Sequence, residues 1–217
     1  MKLSEADKQL LYAVQGGDVE GLRKALASGA DVNAVGTERM YGIIGSTPLH
    51  LALDRCAGES SSSRQELSRL LHEVFPNKVP QRDSGVTRNL FMQIMRELIS
   101  AGADVNAVVK NRSALNRACW WNDLEIVEIL LRAGAEPVGV AVSPFSKLAV
   151  KKGRRVEPAF FNTALHEAAK HGNIGIINAL LASGADKDAL DHEGKTPSQI
   201  AKEKGHEAAI EVLGRHV

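Results

Sequence analysis

Cysteine, aromatic residues and long apolar segments are all scarce in this chain of 217 residues. Its two cysteines, Cys56 and Cys119, are too few for a disulfide framework, so we expect both to be reduced. No segment approaches the roughly 18 consecutive apolar residues that a membrane-spanning helix needs. Aromatic residues make up 4% of the chain, which is low for a compact globule and favours a core of Ala, Leu, Ile and Val.

An excess of either charge is also missing, because 27 basic residues stand against 26 acidic ones and the net charge is +1. Bulk electrostatics therefore favours neither nucleic acid nor an anionic membrane as the partner. The hydrophobic share of 44% and the charged share of 24% are ordinary for a soluble protein. The first residues, MKLSEADKQLL, turn polar before an apolar run could form. We therefore expect no secretory signal and a cytoplasmic location, with a nuclear or secreted-effector location left open.

The chain does contain a repeated pattern. Residues 163–194 read TALHEAAKHGNIGIINALLASGADKDALDHEG, and a similar pattern starts again 33 residues later, at Thr196. Thr163 can cap the start of a helix, and Gly172 breaks that helix before a strongly apolar second one. Gly184 suits the left-handed conformation that ends the second helix. Such a pair of short helices cannot bury its apolar faces alone, so it must stack on similar pairs.

This pattern resembles the ankyrin repeat. The resemblance implies an all-α solenoid of stacked helix–turn–helix units with β-turn fingers. It covers five repeats in a single domain over residues 1–217, at approximately 4–36, 46–108, 111–138, 161–193 and 194–217. The second repeat holds an insert at 57–88, because Thr47 to Gly102 spans 55 residues and Thr163 to Gly184 only 21. A further insert at 139–160 follows the third repeat and includes the most basic stretch, 147–155.

The same resemblance implies a function. Ankyrin repeats recognise other proteins on the concave face that their fingers and front helices form, so we expect a monomeric, non-catalytic scaffold, adaptor, inhibitor or effector-type binder. The candidate contact residues on the front helices are Asp54, Arg55, Trp120, Trp121, Lys170 and His171. The candidates on the finger tips are Ile43, Ile44, Lys110, Arg112, His192 and Glu193. We expect no catalytic group, metal, cofactor, nucleic acid or membrane to take part.

Two alternatives concern the two tryptophans of the chain. Trp120 and Trp121 do not fit the small-residue positions of a front helix, so they are either partner anchors or cover the 57–88 insert.

His50 and His166 occupy the histidine of the T-P-L-H motif, which in the family joins the turns of adjacent repeats by hydrogen bonds. We therefore interpret both histidines as structural.

Two alternatives concern the function of the whole chain. The first is an enzyme whose active site lies in the 57–88 insert, although Asp, His and Cys are scarce there. The second is a module that tethers nucleic acid through the basic 147–155 stretch, for which a steep salt dependence of binding would be the sign.

Overall fold

A computed structural model describes residues 3–36, 45–57, 84–109, 112–137, 163–191 and 193–215. The chain divides into two compact units, Met1–Asp104 and Val105–Val217, which are described separately. In each unit, pairs of short antiparallel helices stack side by side, which confirms the predicted all-α repeat fold. A single domain over 1–217 stays a prediction.

The first unit contains two helical pairs. Its helices are α1 (Glu5–Gly16), α2 (Val19–Ala27), α3 (Pro48–Ala57) and α4 (Ser84–Ser100). The front helices α1 and α3 pack on each other, and so do the second helices α2 and α4. The core between them consists of aliphatic side chains together with Phe91, which is 1% exposed. Because α4 begins at Ser84, the last five residues of the predicted 57–88 insert belong to this helix. Residues 58–83 lie outside the described residues.

The second unit contains three helical pairs. Its elements are β1 (Val108–Val109), β2 (Arg112–Ser113), α5 (Ala114–Trp120), α6 (Leu124–Arg132), α7 (Ala164–His171), α8 (Ile174–Ala182), α9 (Pro197–Glu203) and α10 (Glu207–Arg215). The strands β1 and β2 pair antiparallel as a short finger that leads into α5. The front helices α5, α7 and α9 stack in one row, and α6, α8 and α10 stack in a second row. The 139–160 insert lies outside the described residues.

Local chemistry explains where the helices begin and end. The Thr163 hydroxyl accepts from the N–H of His166, and the Thr196 hydroxyl accepts from Gln199 in the next repeat. These contacts satisfy backbone donors that have no partner inside the helix. At the other end, Gly172 adopts φ 66° and closes α7, as the sequence predicts.

The buried histidine of α7 joins two repeats. His166 is fully buried, and its Nδ1 lies 2.8 Å from the Thr163 hydroxyl. Its Nε2 lies 2.9 Å from the carbonyl oxygen of Lys195, in the finger that leads into α9. The structural role predicted for His166 is therefore confirmed. His50 makes the equivalent contact inside the first unit, with its Nδ1 2.8 Å from the Thr47 hydroxyl.

Candidate functional site

The exposed apolar side chains are concentrated on two kinds of element. In the part of the chain that the structure describes, the exposed large apolar residues are Tyr12, Val35, Val108, Trp120 and Leu190. The three aliphatic residues occupy the same position in three of the fingers, at the end of D-V-N-A-V, D-V-N-A-V and D-K-D-A-L. The two aromatic residues lie on front helices. Single exposed apolar residues are common on protein surfaces, so each of these residues is considered with its neighbours.

Trp120 is the largest of these exposed groups. It is the last residue of α5, and its side chain is 44% exposed. The ring of Trp121 lies 6.2 Å from it at an interplanar angle of 56° and is half-buried. The Arg112 guanidinium lies 5.3 Å from the centre of the Trp120 ring, within range of a cation–π contact. The structure therefore brings Arg112 of the finger and Trp120 of the front helix together.

The turn after Trp121 is held against the next repeat. Asn122 adopts φ 60°, the left-handed conformation for which other repeats use glycine. The Asn173 amide donates to the Asn122 side-chain oxygen over 2.8 Å, and His171 Nε2 lies 3.0 Å from the Trp120 carbonyl oxygen. The sequence predicted His171 only as a contact residue. Its ring also positions the backbone of Trp120.

Lys170 occupies the position in α7 that Trp120 occupies in α5. Its side chain is exposed, and its backbone carbonyl oxygen lies 3.1 Å from His206 Nε2 of the following repeat. Within the described residues, neither Lys170 nor Arg112 forms an ion pair with a carboxylate. Arg112 therefore lies beside the exposed indole, and Lys170 occupies the equivalent position on the neighbouring front helix, each without an ion pair to a described carboxylate.

The finger between α8 and α9 has a different electrostatic character. Asp191 is buried, and one carboxylate oxygen accepts from the N–H groups of Glu193 and Lys195 at 2.8 and 2.9 Å. The Lys195 ammonium lies 2.7 Å from the carboxylates of Glu193 and Glu203. Hydrogen bonds that the Lys195 ammonium donates to these two carboxylates raise its pKa. The predicted contact residue Glu193 therefore helps to neutralise a lysine of its own unit.

An open depression of about 420 Å³ lies next to this finger. It is lined by Gly194, Lys195, Gln199, Lys202 and Glu203. The depression is wide open, so it suits a segment of a macromolecule lying across it better than an enclosed small molecule.

In the first unit, the predicted front-helix contacts Asp54 and Arg55 are both half-buried near the end of α3. The Arg55 guanidinium lies 5.3 Å from the ring centre of the buried Phe91, so this side chain also packs against α4. The finger candidates Ile43, Ile44, Lys110 and His192 lie outside the described residues.

Two findings for the described residues concern metal ligands and cysteine. They include no group of three His, Cys, Asp or Glu side chains that could hold a metal ion. The Cys119 thiol is fully buried, and this burial, together with the nearby charge of Glu167, raises its pKa and keeps it protonated. None of the described helices is long and apolar enough to cross a membrane.

Comparison with known proteins gives two family matches. Residues 146–216 match the model described as "Ankyrin repeats (3 copies)", and residues 110–140 match the model described as "Ankyrin repeat". Cyclin-dependent kinase 4 inhibitor B of Rattus norvegicus is 29% identical over 115 residues, which cover 53% of this chain and 76% of that protein.

Two further relatives cover only small parts of longer proteins. E3 ubiquitin-protein ligase Ufd4 of Drosophila melanogaster is 34% identical over 126 residues, which cover 56% of this chain and 4% of that protein. Protein glp-1 of Caenorhabditis elegans is 27% identical over 201 residues, which cover 88% of this chain and 14% of that protein. The similarity to these two proteins is therefore confined to short segments of them.

Proposed function

Because this chain belongs to the ankyrin repeat family, we propose that it is a non-catalytic protein that binds another protein through the fingers and front helices of residues 105–217. The observation that carries this proposal is the placement of Trp120, which is 44% exposed on a front helix and adjoins Arg112 of the preceding finger. Tryptophan and arginine are enriched among the residues that dominate binding energy at protein interfaces. Val108 and Leu190 add exposed aliphatic surface on the fingers.

The relatives support a protein as the partner. The name of the rat relative describes an inhibitor of a kinase, and that kinase is itself a protein. An inhibitor is therefore one form that the proposed binding could take in this chain, beside a scaffold, an adaptor or an effector-type binder. The partner-contact residues proposed in the described part of this unit are Arg112, Trp120, Trp121, Lys170, His171 and Glu193.

The two alternatives considered from the sequence have no structural observation in their favour. The 147–155 stretch lies outside the described residues, and so does most of the 57–88 insert. The described residues of that insert are Ala57 at the end of α3 and the first five residues of α4, which form helix.

The proposal is tested by Trp120→Ala. An interface anchor of this kind contributes about 2–4 kcal/mol, so the affinity for the partner should fall by roughly 30- to 1,000-fold. The partner is first obtained by affinity capture and identified by mass spectrometry, and calorimetry on the purified pair then gives the dissociation constant. Because the Trp120 side chain is already 44% exposed, its removal should cost the fold little.

Arg132→Ala is the matched control, because it truncates another long, exposed side chain on the second helix of the same repeat. It should leave the dissociation constant within about twofold of the original value. An unchanged dissociation constant for both Trp120→Ala and the double change with Trp121→Ala would refute binding at this surface. A fall in melting temperature without a loss of affinity would instead assign the two indoles to packing.

A further inference from the structure

The surface around Trp120 also carries information about the chemistry of its partner. From its arrangement, and resting on the proposed function, we infer that the partner is an acidic protein segment in which a large apolar side chain is flanked by carboxylates. The apolar side chain contacts Trp120, one carboxylate pairs with Arg112, and a second pairs with Lys170.

The geometry of Arg112 is the first support. Its guanidinium lies 5.3 Å from the centre of the Trp120 ring. A guanidinium that rests its face on an aromatic ring keeps its N–H groups in its own plane, where they are free to form two parallel hydrogen bonds with a carboxylate. Arg112 is exposed and forms no ion pair within the described residues. The exposed guanidinium beside the ring is therefore available to a carboxylate of the partner.

The position of Lys170 is the second support. It lies on α7, which packs directly against α5, at the position that corresponds to Trp120. Axes of packed helices lie about 8–10 Å apart, and an extended peptide advances about 3.4 Å per residue. A carboxylate two or three residues from the apolar anchor can therefore reach Lys170.

Lys195 supplies a contrast inside the same unit. Its ammonium already lies 2.7 Å from two carboxylates, those of Glu193 and Glu203. An incoming carboxylate there would meet one positive and two negative charges, so the group as a whole would repel it. Charge complementarity therefore places the acidic residues of the partner beside Trp120 rather than beside this finger.

The experiment uses random 12-residue peptides displayed on phage. They are selected on the full chain and counter-selected on its Trp120→Ala variant. Trp120 and Trp121 are the two tryptophans of the chain, so the intrinsic fluorescence of the protein reports binding of each selected peptide. The inference expects an excess of Asp and Glu two or three residues from a Leu, Ile, Met or Phe. It also expects affinity to fall steeply with salt.

A charge reversal and a matched control decide the assignment. Arg112→Glu with Lys170→Glu should weaken binding at least tenfold. Arg132→Glu with Lys24→Glu changes the net charge equally, at two exposed positions on the second helices α6 and α2, and should change the affinity less than twofold. A peptide with Lys in place of its acidic residues should bind the first double variant at least tenfold more tightly than the unchanged chain. Circular dichroism confirms that both double variants are folded.

The contrary outcomes separate the two proposals. The acidic partner is refuted, and the proposed function stands, if peptides bind in a Trp120-dependent manner but show no excess of Asp and Glu. The same holds if both double variants lower the affinity for the peptides equally. If no selected peptide depends on Trp120, the proposed function of this surface fails as well. Tighter binding of a single-stranded dT12 oligonucleotide than of any peptide would overturn both in favour of nucleic acid.

Discussion

Changing Gly172 to Ala tests how closely adjacent repeats are fitted together. Gly172 closes α7 with φ 66°, a conformation that costs an L-residue about 1–2 kcal/mol. A Cβ atom at this position would lie 2.5 Å from Cγ of His206 and 2.6 Å from its Nδ1. That ring cannot easily move aside, because its Nε2 is held 3.1 Å from the carbonyl oxygen of Lys170.

Gly205 is the matched control, because it occupies the same position one repeat later. It has φ 74°, and a Cβ atom there would meet nothing within 4 Å. Gly205→Ala should therefore cost only the backbone strain, about 1–2 kcal/mol. Gly172→Ala should cost about 2–5 kcal/mol, since overpacking adds about 1–3 kcal/mol to the same strain.

Urea unfolding followed by circular dichroism measures both free energies of unfolding. Removing the ring with His206→Ala should relieve the clash, so in that background the cost of Gly172→Ala should fall to that of Gly205→Ala. The coupling energy between the two positions should be about 1–3 kcal/mol. Equal costs for the two glycine variants, or a cost for Gly172→Ala that is the same with and without the ring, would refute the reasoning.

Two further predictions concern buried titratable groups. Burial lowers the pKa of His166 below its unfolded value, so stability is fully present above about pH 6.5 and declines as the pH falls from there towards the folded pKa. His166→Gln, which copies Gln199 of the next repeat, should flatten this decline in urea unfolding curves, and an unchanged decline would assign it to other groups. Because burial raises the pKa of Cys119, its thiol should resist a disulfide reagent at pH 8 until urea unfolds the chain, measured in a Cys56→Ala background. Rapid reaction of the native protein would contradict that burial.

Local patterns were enough to predict the helical pairs. The glycines at positions 17, 172 and 184 all have positive φ, as their place after a helix suggested. The threonine cap of α7 was also readable, because a cap and the backbone N–H that donates to it are only three residues apart. These features depend on short-range sterics and hydrogen bonds, which are encoded within a few residues.

The contacts between repeats were less predictable. The residues around Asn106 indicate only a turn, yet its amide accepts from Glu136 N–H at 2.8 Å and donates to the carbonyl oxygen of Gly134 at 3.1 Å. Asn122 replaces the expected glycine in the left-handed position, and its side chain bonds to Asn173. Each of these pairs is separated by about 30 or 50 residues, so no local spacing indicates it.

In the candidate site, too, some features could be predicted from the sequence and others only from the structure. The sequence alone was sufficient to single out Arg112, Trp120 and Lys170, because they fall on finger tips and on the last residues of front helices. It could not show that the Arg112 guanidinium lies over the Trp120 ring while Lys195 is neutralised by two carboxylates. Repeat pattern, caps and helix ends follow from the preferences of neighbouring residues, and the amino-acid sequence determines them directly. The exposure of Trp120 and the charge available beside it depend on the packing of helices far apart in the chain, which only the tertiary structure decides.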